Sequence, residues 1–252
     1  MGTGRTINGE KTGIFMQVRL DSTRLPQKAL LPLKGYTVIE HAMEGLKGVE
    51  ADVYALVTDR KSASTLSKYA EFWGFGVFSG PEEDVLLRYA LAAEHYSVST
   101  IVRATGDNPL VSSVLAQRIL DLHLEEKADY SGFLGMPLGT GVEVISTGAL
   151  IEAQLEAEDP YEREHVSPFI YRRADRYRVL RPVVPEPYIF WDARVTLDTV
   201  EDYNIIKMIY QDLYAGHPIE TDAVVQWLSE HQHEKAAETV PTEVAGSSLF
   251  LR

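Results

Sequence analysis

Short apolar runs of strand length alternate with helix-period segments through the first half of this chain, and that alternation leaves few folds open. Residues 13–18, 52–57, 76–79 and 99–104 read as strands. Helical patterns follow each: Val38, Ile39, Ala42, Met43 and Leu46, then 62–73, 82–95 and 112–126. Strand-then-helix repetition predicts an α/β fold, a mostly parallel central sheet with helices on both faces. In such a sheet, ligands belong at the carboxyl ends of the strands.

From residue 128 the rhythm loosens. The glycine-rich stretch 132–141 precedes a strand at 142–145, and 160–173 reads as a heavily charged helix. A strand pair at 178–184 and 194–197, then helices near 201–214 and 221–231, return the chain to the sheet. The expected organisation is a single domain over 1–252, with a polar leader at 1–12, a small insertion at 128–192 serving the acceptor or a dimer contact, and a flexible tail at 233–252.

Charge and composition narrow the chemistry. Twenty-four Lys and Arg against thirty-seven Asp and Glu leave a net charge of -13, so a nucleic acid would be repelled by the average surface and any phosphate site must be local. The chain contains no cysteine, which removes disulfides, thiolate metal sites and thiol nucleophiles. Neither a secretory signal nor a membrane span is visible, so the expected address is the cytoplasm.

Against that acidic background, the loop after the first strand stands out. Its sequence, Gln17-Val18-Arg19-Leu20-Asp21-Ser22-Thr23-Arg24-Leu25-Pro26-Gln27-Lys28, gathers three cations and two hydroxyls. Arg supplies a planar fork of donors and Lys a point charge, the combination a polyphosphate needs. The fourth strand runs into Thr105-Gly106-Asp107-Asn108-Pro109-Leu110, which in a parallel sheet brings Asp107 to the same edge. Magnesium takes one or two carboxylates plus substrate phosphates, and Asp198, after 194–197, is the natural second carboxylate. Turn and capping chemistry alone would also account for both aspartates.

These stretches, taken in order, resemble the cytidylyltransferases that make CMP-activated acidic sugars, and most closely the SpsF branch named after spore-coat polysaccharide synthesis. The further matching segments are Thr58-Asp59-Arg60, Ser79-Gly80 with Glu83-Asp84-Val85-Leu86-Leu87-Arg88-Tyr89, Gly141-Val142-Glu143-Val144, Asp159-Pro160-Tyr161-Glu162-Arg163-Glu164-His165-Val166, and Leu197-Asp198-Thr199-Val200-Glu201-Asp202. Together they span roughly residues 13–214.

The resemblance implies a Rossmann-like nucleotide-diphospho-sugar transferase fold and a magnesium-dependent enzyme. CTP and a small acidic sugar-like acceptor would be its substrates, and a homodimer its assembly. Arg19, Ser22, Arg24 and Lys28 would bind the triphosphate, with Arg19, Lys28 and Asp107 catalytic and Asp107 and Asp198 holding magnesium. Asp59, Asp84 and Arg88 would lie near the nucleoside. Glu143, Arg163, Glu164 and His165 would face the acceptor or a subunit contact. One position departs from the family: Asp21 stands where glycine is usual before Ser-Thr-Arg, and a carboxylate there must point away from the phosphates or pair with Arg19 or Arg24.

Two other readings remain. A glycosyltransferase of related fold would hold its metal through an Asp-x-Asp turn, which this sequence lacks. A catalytically idle nucleotide-binding relative would find its only support in Asp21. His231 and His233 read as solvated, and Tyr188, Phe190 and Trp191 as packing residues.

Overall fold

The structure is a computed structural model and describes residues 10–22 and 24–238, of which 232–238 by backbone alone. Residues 1–9 of the polar leader, Thr23, the side chain of His233 and the tail from 239 onward lie outside the described residues.

Strand β1 (Thr12–Gln17) is followed by a 3-10 turn (Lys28–Leu30), a small β2 (Pro32–Leu33) and β3 (Tyr36–Thr37) hairpin, and helix α1 (Val38–Leu46). Then come β4 (Val53–Asp59), α2 (Arg60–Trp73), β5 (Gly76–Gly80), α3 (Val85–Tyr96), β6 (Thr100–Thr105) and α4 (Ser113–Glu126). The second half contributes β7 (Tyr130–Gly132), β8 (Glu143–Ser146), α5 (Thr147–Glu156), α6 (Pro160–His165), α7 (Pro168–Tyr171), β9 (Val179–Leu180), α8 (Val200–Leu213) and α9 (Thr221–Glu238).

The main sheet has seven strands in the order β5-β4-β1-β6-β8-β7-β9. The pairs β5·β4, β4·β1, β1·β6 and β7·β9 are parallel, and β8 alone runs against its neighbours β6 and β7. This is the mostly parallel α/β sheet expected. Strand alternation builds two cores. Ile14 and Met16 of β1 face one side with Leu56, Val102 and Val144, covered by α1, α2 and α4. Phe15 faces the other with Ala55, Val57, Ile101 and Ile145, covered by α3 and α5. A third cluster packs α8 and α9 around Ala193, Val195 and Leu197, and so anchors the segment that carries Asp198.

Capping residues set the helix starts. Asp59 accepts from Ser62 N at 2.9 Å and opens α2, Asp84 accepts from Leu87 N at 3.0 Å and opens α3, and Thr199 with Asp202 forms a capping box on α8.

Some elements differ from expectation. Residues 194–197 are not a strand: the chain makes a single bridge, Leu138↔Arg194, because its partner is the irregular 134–139 loop, which Gly139 turns at φ 106°. The expected strand 178–184 shrinks to β9 and one bridge, Leu134↔Val183, since Pro182 and Pro185 have no N–H to donate to a ladder. The expected helix 160–173 breaks into α6 and α7 at Val166 (φ 71°), where Pro168 can donate no bond to the preceding turn. Helix α5 and strand β7 are further elements, in stretches where the sequence predicts none. Among the described residues, no helix is long and apolar enough to cross a membrane.

Candidate active site

Parallel pairing brings the carboxyl ends of β4, β1 and β6 to one edge, with Gln17 in register with both Val57 and Thr105. The loops after β1 and β6 then touch: Gly106 N donates to Gln17 O at 2.8 Å. A methyl group at Gly106 would fall 2.9 Å from Val18 Cβ, so only glycine permits this approach.

Lys28 lies at the centre. Its ammonium donates to Asp107 Oδ2 at 2.6 Å, to Asp198 Oδ1 at 2.8 Å and to the carbonyl of Leu197 at 2.8 Å. Asp107 and Asp198, ninety-one positions apart in the chain, thus converge on one cation. Asp198 also receives Arg194 at 2.8 Å, while Arg24 approaches at 3.5 Å. Burial pushes the Asp198 carboxyl up, but the hydrogen bonds from Lys28 and Arg194 and the charges of Lys28 and Arg24 outweigh it and hold the group below the usual carboxylate range.

Arg19, Arg24 and Asp21 are exposed on the first loop, and Ser22 is half-buried. Asp21 pairs with neither arginine among the described residues; exposed Lys61 nearby is held by Glu82, with a lesser pull from the Asp21 charge. Leu20 N donates to Ser62 Oγ at 3.0 Å, and that hydroxyl donates to Asp59 Oδ2 at 2.7 Å, so buried Asp59 braces the loop from beneath. Arg88 is also buried; it donates to the carbonyls of Pro81 and Glu82 and shapes the turn after β5. Asp84 receives Nε and Nη2 of Arg163 at 2.9 and 2.5 Å, and Arg163 further donates to Gln154 O and Ala157 O. Those two side chains hold α6 to α3.

Beside Asp107 opens a cavity of about 530 Å³. Its floor is a half-buried polar network: Glu143 accepts from Tyr130 at 2.9 Å, from Ser167 at 2.8 Å and from Arg103, which also donates to Gln17 Oε1 at 3.0 Å. Exposed His165 lines the cavity and packs against Tyr161, with ring centroids 4.3 Å apart. Arg181 lines it too. Glu164 is exposed and is not among the lining residues.

Arg103, Tyr130, Ser167, Arg194 and Arg181 join the site through the fold and are not among the residues the sequence nominates. Arg103 and Arg194 lie four residues before Asp107 and Asp198, within the segments that run into those aspartates, so a signal was there for them. Tyr130 sits on β7 and Arg181 directly after β9, beside neighbours that only the tertiary fold reveals.

A cationic loop and two carboxylates thus lie together at the carboxyl edge of the mostly parallel sheet of a Rossmann-like nucleotidyltransferase fold. Residues 14–219 match the cytidylyltransferase family, and the chain belongs to it. SpsF, the spore coat polysaccharide biosynthesis protein of Bacillus subtilis, is 34% identical over 204 residues, 78% of this chain and 85% of its own. The solved structure of a cytidylyltransferase from Leptospira borgpetersenii superposes with a TM-score of 0.79 at 25% identity, covering 94% of this chain and 100% of that one. CMP:2-keto-3-deoxy-manno-octonic acid synthetase, solved in complex with CTP, shares the fold at a TM-score of 0.62 and 15% identity, over 81% of this chain and 100% of that one.

Proposed function

We propose that this protein transfers CMP from CTP to an acidic sugar acceptor and releases pyrophosphate, with a magnesium ion at Asp107 and Asp198. The observation that carries this reading is the ammonium of Lys28 seated between those two carboxylates at the sheet edge. Membership of the cytidylyltransferase family and the CTP complex of a structural neighbour support the choice of nucleotide.

The donor set suits magnesium. Two hard carboxylate oxygens within 2.8 Å of one ammonium already surround a cation. No cluster of three or more metal-ligating side chains exists among the described residues, so further ligands would come from substrate phosphates and water, as magnesium prefers. When bound, the ion would polarise the phosphate oxygens and neutralise charge that grows during transfer.

The residues of this chain divide the remaining work. Arg19, Ser22 and Arg24 bind the triphosphate on the exposed loop, and Lys28 shifts its hydrogen bonds from the carboxylates toward the phosphates. An acceptor hydroxyl attacks the α-phosphorus and yields its proton to water, a new P–O bond forms, and the α–β bridging bond breaks with its electron pair leaving on pyrophosphate. The acceptor occupies the cavity beside Asp107, whose floor of Arg103, Glu143 and Tyr130 is already internally paired. The cytoplasmic location and homodimer expected from the sequence belong to the same reading.

The test mixes purified protein with each of the four nucleoside triphosphates, magnesium or a chelator, and a panel of sugar acids. Pyrophosphate should appear only when CTP, magnesium and an acidic acceptor are all present. Release of a nucleoside diphosphate when nucleotide-sugars replace the triphosphates in the same assay would instead make the protein a glycosyltransferase.

A further inference from the structure

The charged groups lining the cavity are Arg103, Asp107, Glu143, His165 and Arg181. Asp107 is engaged by Lys28, and Arg103 and Glu143 engage each other. Arg181 is the one permanent cation among these lining residues that meets no carboxylate among the described residues, and it is exposed. It is also oriented: its guanidinium lies 5.2 Å from the ring centroid of Tyr171, which lines the same cavity. Burial and Glu143 push the Tyr130 phenol far up, against the opposing pull of the Arg181 charge, so that charge is felt at the cavity floor.

We propose that Arg181 binds the carboxylate of the acceptor sugar and is the residue that makes the cavity select acidic over neutral acceptors. This deepens the cytidylyl-transfer reading and rests on it. Three features of the site favour a carboxylate. A guanidinium binds one through two parallel donors, a partly enclosed cavity strengthens the bond, and no competing carboxylate among the described residues pairs with Arg181. Arg163, the arginine expected from the sequence to face the acceptor, is held by Asp84 and two carbonyls. Arg181 is where an uncommitted guanidinium is found.

Wild type, Arg181→Gln and Arg181→Lys are compared in two measurements. Calorimetry gives affinity for CTP, and separately for 2-keto-3-deoxy-manno-octonic acid, a nine-carbon sialic acid and their methyl esters. Pyrophosphate release gives KM and kcat for the same acceptors. Loss of a charge-assisted bidentate contact predicts a rise of about 30-fold in KM and Kd for the acid in Arg181→Gln, with CTP affinity and the ester unchanged. Arg181→Lys should recover part of that loss. The proposal is overturned by equal use of acid and ester in wild type, by unchanged acid affinity in Arg181→Gln, or by wild type binding none of the acids. A matching loss of CTP affinity would assign Arg181 to the nucleotide and also overturn it. Absence of CTP binding in wild type would instead overturn the nucleotide reading, while the acid titration still decides on Arg181.

Discussion

Replacing Lys28 with methionine keeps the length and packing of the side chain and removes the charge that joins two distant parts of the fold. Lys28 is 15% exposed, and the Asp107 and Asp198 side chains are 24% and 22% exposed, so water screens these contacts only in part. A hydrogen bond to a charged group contributes about 1.5–3 kcal/mol, and leaving partly buried partners unpaired adds to the loss. A stability cost of about 3 kcal/mol is expected for Lys28→Met, together with repulsion between the two carboxylates that the ammonium no longer offsets. In catalysis, removal of one preorganised cation should cost about 3–4 kcal/mol, a fall of roughly 100- to 1000-fold in kcat/KM. The two effects separate through magnesium. With the ammonium gone, the carboxylates present an anionic gap, so magnesium without nucleotide should raise the melting temperature of Lys28→Met more than that of wild type. Thermal melts with and without magnesium, alongside pyrophosphate release, read both quantities. A variant that loses stability yet keeps wild-type kcat/KM would show that Lys28 is only a strut, and the reasoning would fail.

Two further perturbations test other parts of the same scaffold. Burial holds His123 down to about 4, with Asp129 opposing, so as pH falls below 6.5 the unfolded chain takes up a proton that the folded chain refuses. Stability is therefore greatest above that range and should drop by about 2 kcal/mol on going from about pH 7.5 to about pH 5, with buried His41 acting in the same sense. Urea denaturation at both pH values checks this, and His123→Gln should flatten the dependence; equal stability of wild type at the two pH values would contradict it. At Gly139, φ is 106° and an added methyl would meet Thr196 N at 2.7 Å, so Gly139→Ala should destabilise by at least about 2 kcal/mol and reduce turnover by displacing the segment before Asp198. Gly148→Ala is the control: it sits in α5 with open space around it and should stabilise by about 0.5–1 kcal/mol, so equal melting temperatures for the two variants would refute the steric account.

Much of this protein was legible without coordinates because its information is local. Period-two and period-3.6 apolar patterns depend only on neighbouring residues, and they marked β1, β4, β5, β6 and their helices, hence the parallel sheet and its ligand-bearing edge. The ordered motifs around Arg19, Asp107 and Asp198 pointed to the family for the same reason. Elements whose stability comes from distant partners were hidden: β7 is three residues long, and 194–197 lies extended only because the 134–139 loop and the α8–α9 cluster hold it there.

Side-chain partnership belonged to the tertiary structure alone. Sequence could nominate Lys28, Asp107 and Asp198 but not their meeting at one ammonium, since that depends on register between β1 and β6 and on the packing beneath Leu197. Nor could it tell Arg163, held by Asp84, from Arg181, which stands free of carboxylates among the described residues of the cavity. An arginine reads the same in a sequence whether its charge is spent within the fold or left for a ligand, because neutralisation is decided by groups brought within a few ångströms through space.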